Sequence, residues 1–117
     1  MSSTTTFTTK VGSRLTPLRA TLRDANGPIN LTSAQSVSLI LEHRRTGATA
    51  LNAACTIESP PTAGVVTYSW TVDDVAGVLA SVADYRAEFL IQWSPTNPQR
   101  VPSDGFFTVQ VIRNAEM

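Results

Sequence analysis

Five side chains at every second position, Tyr85, Ala87, Phe89, Ile91 and Trp93, with Arg86, Glu88 and Gln92 between them, constrain this chain more than any other feature of its sequence. A period of two is the repeat of a pleated strand, whereas an α-helix would scatter these five around its circumference. The segment is therefore expected to be a strand with one dry and one wet face, and a dry face needs a second layer to cover it. The same period returns in Leu18, Ala20 and Leu22, which oppose Arg19, Thr21 and Arg23. It returns again in Val37, Leu39 and Leu41 and in Leu51, Ala53, Cys55 and Ile57 within a strand expected from Thr49 to Glu58. Val66, Tyr68, Trp70 and Val72 form a further inward row, and Phe107, Val109 and Val111 one face of a last strand from Phe106 to Ile112.

Turn chemistry separates these runs. Asp24-Ala25-Asn26-Gly27-Pro28 concentrates turn formers, with Asn26-Gly27 expected to supply the positive φ of a tight turn. Thr46-Gly47, Ser59-Pro60-Pro61-Thr62-Ala63-Gly64 and Ser94-Pro95-Thr96-Asn97-Pro98-Gln99 play the same part. Only Asp73 to Ala80 breaks the period, and its acidic pair followed by small apolar residues predicts one helical turn capped by Asp73. About seven or eight strands, roughly 8 to 14 residues apart and nearly all joinable as hairpins, predict an all-β fold. The expected architecture is a single antiparallel β-sandwich, immunoglobulin-like or jelly-roll-like, over residues 14–113, with an N-terminal arm at 1–13 and a short tail at 114–117.

Composition narrows the function classes. The chain has 117 residues, 42% of them apolar, which suffices for one domain with a core that needs no metal or disulfide. Nine Lys+Arg balance nine Asp+Glu, so the excess of positive charge that drives non-specific nucleic-acid binding is missing. A low, balanced charge favours association over colloidal repulsion. One cysteine excludes an intrachain disulfide and a multi-cysteine metal cluster. The opening MSSTTTFTTK has no basic stretch followed by an apolar run, and no apolar run approaches the roughly 20 residues that span a bilayer. No secretory leader and no membrane partner are expected, and the chain is expected to stay in the cytosol unless it leaves as part of a particle.

Little in the sequence points to chemistry. His43 is the only imidazole, and Glu42 beside it should point to the opposite face, so His43 reads as a surface histidine. Cys55 on inward parity reads as a small hydrophobe. Asp73, Asp74, Asp84 and Asp104 lack the spacing of a calcium loop and read as capping or solvated acids. No phosphate loop, nucleophile elbow or zinc-helix motif occurs. No enzyme and no cofactor are expected.

Three stretches taken together resemble a known family. They are Leu18 through Thr32, Gly64-Val65-Val66-Thr67-Tyr68-Ser69-Trp70, and Asp84-Tyr85-Arg86-Ala87-Glu88-Phe89 with Pro102-Ser103-Asp104-Gly105-Phe106-Phe107. Their order and spacing, over about residues 14–112, resemble the small β-sandwich domain at the N-terminus of tailed-phage baseplate upper proteins and in short phage virion proteins. Two departures stand out. Gly77 to Ala83 is longer than the family's link into the Tyr-x-Ala-Glu-Phe strand, and a baseplate upper protein continues into a linker and a receptor-binding region, whereas this chain ends at residue 117.

The resemblance implies a non-enzymatic virion component, here a stand-alone accessory, adaptor or decoration subunit. Its implied partners are other virion structural proteins, at a tail or baseplate hub or on the major capsid protein, and copies of itself. Seven of the first ten residues are Ser or Thr, and Thr4 to Thr9 combine high β propensity with no proline, which suits a strand added to a neighbour's sheet. The expected assembly contacts are Thr4, Thr5, Thr6, Phe7, Thr8, Thr9, Lys10, Arg14, Arg19 and Arg23. The alternative is a module that binds carbohydrate at a host surface through exposed Trp or Tyr, which the inward parity of Trp70 and Trp93 argues against.

Overall fold

The computed structural model describes residues 6–13, 16–101 and 107–113, and the structural statements that follow are made of those residues. The long alternating segment forms β9 (Ala83–Ser94), the hub of the larger sheet. Strand β5 (Ser36–His43) runs antiparallel along one side of it, from Ser36 opposite Gln92 to His43 opposite Tyr85. The other side is shared between two shorter strands. β11 (Phe107–Ile112) pairs with Ala83 to Ala87, and β10 (Asn97–Val101) folds back as a hairpin along Phe89 to Ser94. β6 (Thr49–Ala54) completes the sheet next to β5, and β1 (Thr6–Lys10) completes it next to β11. The second sheet is β2 (Leu18–Thr21), β8 (Val65–Tyr68) and β7 (Thr56–Ile57), in that order, and β3 (Arg23–Asp24) pairs with β4 (Gly27–Pro28) as a separate hairpin.

The fold is all-β, and the inward rows of both sheets meet in one buried cluster. Leu18, Val66 and Tyr68 come from the smaller sheet; Val37, Leu39, Leu41, Ala87, Phe89, Ile91, Val109 and Val111 come from the larger. Burying a large aliphatic or aromatic side chain stabilises by about 1.5–3 kcal/mol, so this shared cluster is what holds the sheets.

Several expectations change on contact with the structure. The segment Thr49 to Glu58 is two strands rather than one: it leaves the larger sheet after Ala54 and joins the smaller at Thr56, with the Cys55 amide bonded to the Val37 carbonyl at the crossing (2.7 Å). Its parity runs on unbroken through the switch, so alternation alone could not reveal it. Not every ladder is antiparallel, because β1 runs parallel to β11, from Thr6 opposite Thr108 to Lys10 opposite Ile112. The turn at Asp24 to Gly27 places Ala25 and Asn26 at its tip, and the positive φ falls on Gly27 alone. The Asp24 carboxylate accepts the Asn26 amide at 2.8 Å, which supplies the closure expected of Asn26-Gly27.

The break in period is a short helix, α1 (Val72–Ala76), capped by Thr71 and not by Asp73. Thr71 Oγ1 accepts the Asp74 amide and the Asp74 carboxylate accepts the Thr71 amide at 2.9 Å, a reciprocal capping box. Val72 therefore starts the helix at 67% exposure instead of continuing the inward row. Asp74 is drawn inward as well, where it accepts the buried Tyr68 hydroxyl at 2.5 Å. Further along the same connection Tyr85, at the start of β9, donates its hydroxyl to the Val78 carbonyl (2.9 Å), a tyrosine corner.

Candidate functional site

The expected contact residues converge only in part. Thr4, Thr5 and Arg14 lie outside the described residues. Thr6, Thr8 and Lys10 are exposed on β1, the last strand of the larger sheet, while Thr9 is buried and Phe7 half-buried. The segment expected to be an arm is thus, from Thr6 to Lys10, a strand of the chain's own sheet. Its anchor is Phe7, whose ring sits 6.1 Å from that of Trp70 and packs against the core.

Phe7, Arg19 and Arg23 come together. With Leu18, Ala20, Thr21, Leu22, Phe89, Val101 and Phe107 they line a cleft of about 490 Å³. Its floor is aromatic and aliphatic, with the Phe89 and Phe107 rings stacked at 5.2 Å. One wall is β2 and the other includes β1, and each of these is the terminal strand of its sheet. An edge strand has backbone N–H and C=O groups without a partner, so the cleft is flanked by two templates for strand addition.

The rim is basic, but its two arginines differ. Arg19 makes a bidentate pair with Glu58, at 2.8 and 3.1 Å, and the Thr67 hydroxyl also donates to that carboxylate. The guanidinium beside it holds the Glu58 carboxyl below the ordinary range, and the carboxylate raises Arg19 in turn. Arg23 is exposed and enters no ion pair among the described residues.

A second concavity was not anticipated from sequence. About 880 Å³ in volume, it lies between the β5–β6 turn, which supplies His43, Arg44, Arg45 and Thr46, and the connection into β9, which supplies Gly77, Val78, Ser81, Val82, Ala83, Asp84 and Tyr85. The register of His43 opposite Tyr85 brings the two walls together, and the rings of that pair lie 5.1 Å apart. The one available signal was the run His43-Arg44-Arg45 at a turn, which becomes informative only once that turn is known to face residues 77–84.

The remaining candidates behave as packing. Burial pushes the Cys55 thiol up to about 12, far from a nucleophile's range. Burial and the Asp74 carboxylate raise the Tyr68 hydroxyl, and burial raises that of Tyr85. Trp70 is 3% exposed, and half-buried Trp93 donates its indole N–H to the Gln99 side chain at 2.9 Å. Among the described residues no group of three His, Cys, Asp or Glu is arranged to hold a metal ion, and no helix is long and apolar enough to cross a membrane. No protein-family model matches the chain, and no curated protein matches its sequence.

Proposed function

We propose that this chain is a non-enzymatic structural protein of a tailed-phage particle, an immunoglobulin-like β-sandwich that serves as accessory, adaptor or decoration subunit. It docks on other virion proteins through the side of the molecule where β1 and β2 flank the cleft. The observation that carries the docking surface is the convergence of Phe7, Arg19 and Arg23 on that cleft between two terminal strands. A partner strand laid along β2 would gain main-chain hydrogen bonds there and could place an apolar side chain against Phe89 and Phe107.

What supports the particle role is the resemblance to the phage family, together with a charge-balanced surface that repeated neighbours can cover. The family's glycine-to-tryptophan stretch also has a physical reading. Gly64 has φ of 72°, and a Cβ there would lie 2.8 Å from the carbonyl oxygens of both Leu22 and Ile29, so the position accepts glycine alone.

The test is fractionation of phage particles assembled with a tagged copy of the chain. Sedimentation with intact particles, reduced by Arg23→Glu, is expected, and retention on emptied heads or on detached tails then gives the location. Recovery only in the soluble fraction would overturn the proposal.

A further inference from the structure

The backbone beside the cleft constrains its occupant more closely than the cleft's shape does. In the ladder with β8, Leu18 lies opposite Tyr68 and Ala20 opposite Val66, and the Leu22 amide donates to the Gly64 carbonyl at 2.7 Å. Main-chain groups of an antiparallel strand point alternately to one side and to the other. Leu18, Ala20 and Leu22 therefore turn theirs to β8, while Arg19 and Thr21 turn theirs to the open edge, where no strand lies among the described residues. Side chains alternate too, between the two faces of the sheet. Leu18 and Leu22 are buried, Ala20 between them is small and half-buried, and Arg19, Thr21 and Arg23 are exposed.

These two alternations set the character of any strand added at this edge. Side chains on the inward face, beside Ala20, enter the cleft against Phe89 and Phe107 and must be apolar. Those on the outward face lie beside Arg19, Thr21 and Arg23. The described residues that line the cleft include two cations and no acid. Arg19 is already paired with Glu58, and Asp24, the acid next to Arg23, turns its carboxylate to the Asn26 amide. Arg23 is left as the cation for a partner's carboxylate to meet. The chain's own open strands do not supply one: β1 carries Lys10, β6 and β10 contain no acid, and Glu58, which follows β7, is held by Arg19 and Thr67. A second copy therefore fits poorly. We infer that the cleft takes an extended segment of a different protein, added to β2 through the main chain of Arg19 and Thr21, with alternate apolar residues facing Phe89 and Phe107 and an acidic residue on the outward face beside Arg23. This rests on the docking role proposed above for this side of the molecule.

NMR titration of the purified chain with a capped peptide, Thr-Val-Glu-Phe-Glu-Val-Thr, tests this, and the palindromic order presents the same pattern in either strand direction. Saturable shifts at the Arg19 and Thr21 amides are expected by about 2 mM peptide. Of two further peptides, N-methylated on the glutamates or on the apolar residues, one alone should lose at least about tenfold in affinity, since alternate amides face β2 and the others face solvent. Arg23→Glu should weaken the parent peptide about fivefold. A peptide with lysine in place of glutamate should then prefer that variant to the native chain. Arg23 is exposed, so its replacement leaves the core intact. No saturable binding, any other pattern between the two N-methylated peptides, or indifference to the charge reversal would each overturn the inference. Self-association of the chain along β2, lost in Arg23→Glu, would overturn it too and assign the edge to a second copy. Particle fractionation remains a separate readout: incorporation without peptide binding refutes the added strand alone, and peptide binding by a chain that stays soluble refutes the particle role alone.

Discussion

The connection from Gly64 to Tyr85 and the first strand, Thr6 to Lys10, both tie one sheet to the rest of the molecule, yet they do so by different physics. The connection is held by directional bonds centred on the buried residues Tyr68, Asp74 and Tyr85: Tyr68 to Asp74, exposed Thr71 and Asp74 to each other, and Tyr85 to Val78. Each has one geometry, and losing either partner strands a polar group in the interior. The first strand is held by a ladder to β11 on one side and by one half-buried ring, Phe7. Its other edge has no strand neighbour among the described residues. The buried bonds make the connection specify the fold, while the open edge leaves β1 and the cleft beside it available for docking.

The sharpest way to break the rigid side of that comparison is Gly64→Ala. The residue would have to hold a positive φ with its Cβ pressed on two backbone carbonyls, and a loss of about 3 kcal/mol in denaturant unfolding is expected. Asp74→Ala comes next. It strands the Tyr68 hydroxyl and removes the carboxylate half of the capping box, leaving the Thr71 amide without its partner, for a loss of about 2 kcal/mol. Tyr68→Phe alone should cost about 1 kcal/mol, and the double variant should cost no more than Asp74→Ala, since a double-mutant cycle reports the shared bond. Additive losses would show that the two side chains act independently.

On the other side of the comparison, Phe7→Ala should cost about 1.5 kcal/mol, below the 3–5 kcal/mol of a fully buried phenylalanine, because the ring is half-exposed. Amide exchange should report the same difference without mutation. Protection in β1 should fall below that in β8 and β9, and equal protection would remove the contrast.

At neutral pH the smallest expected effect concerns Cys55, where the chain crosses between sheets. Its thiol is raised in the fold from an ordinary 9.0 to about 12, so above the unfolded value the unfolded chain releases a proton that the folded chain retains. The thiol's contribution to stability is therefore complete below about pH 9 and is lost as pH rises towards 12, with Tyr68 and Tyr85 shifted in the same direction. Alkylation of native Cys55 by iodoacetamide at pH 8 should be much slower than in denaturant. Equal rates would contradict burial of the thiol.

How much of this was legible depended on whether the signal was local. The alternation from Tyr85 to Trp93 specified β9 and its buried face, and Leu18, Val66, Val109 and their neighbours lie where parity put them. The helix in the connection is legible too, but its cap is Thr71 rather than the expected Asp73. Thr71 and Asp74 have capping-box spacing, and the adjacent acid Asp73 offers a competing cap of the same residue type. Pairing between distant segments was not legible. The ladder of β1 on β11 joins opposite ends of the chain, and nothing in Thr6 to Lys10 distinguishes a strand for its own sheet from one for a neighbour's. The same limit hid the concavity at His43, because its walls meet only through the register of β5 on β9.

Site-specific crosslinking to assembled particles tests the docking surface most directly. In a Cys55→Ala background, a single cysteine replaces either Thr21, on β2 beside the cleft, or Asn52, exposed on β6 at the far edge of the larger sheet. With a short bifunctional reagent, Thr21→Cys should join the chain to a particle protein and Asn52→Cys should not. Crosslinking through Asn52→Cys and none through Thr21→Cys would place the docking face elsewhere and contradict the assignment.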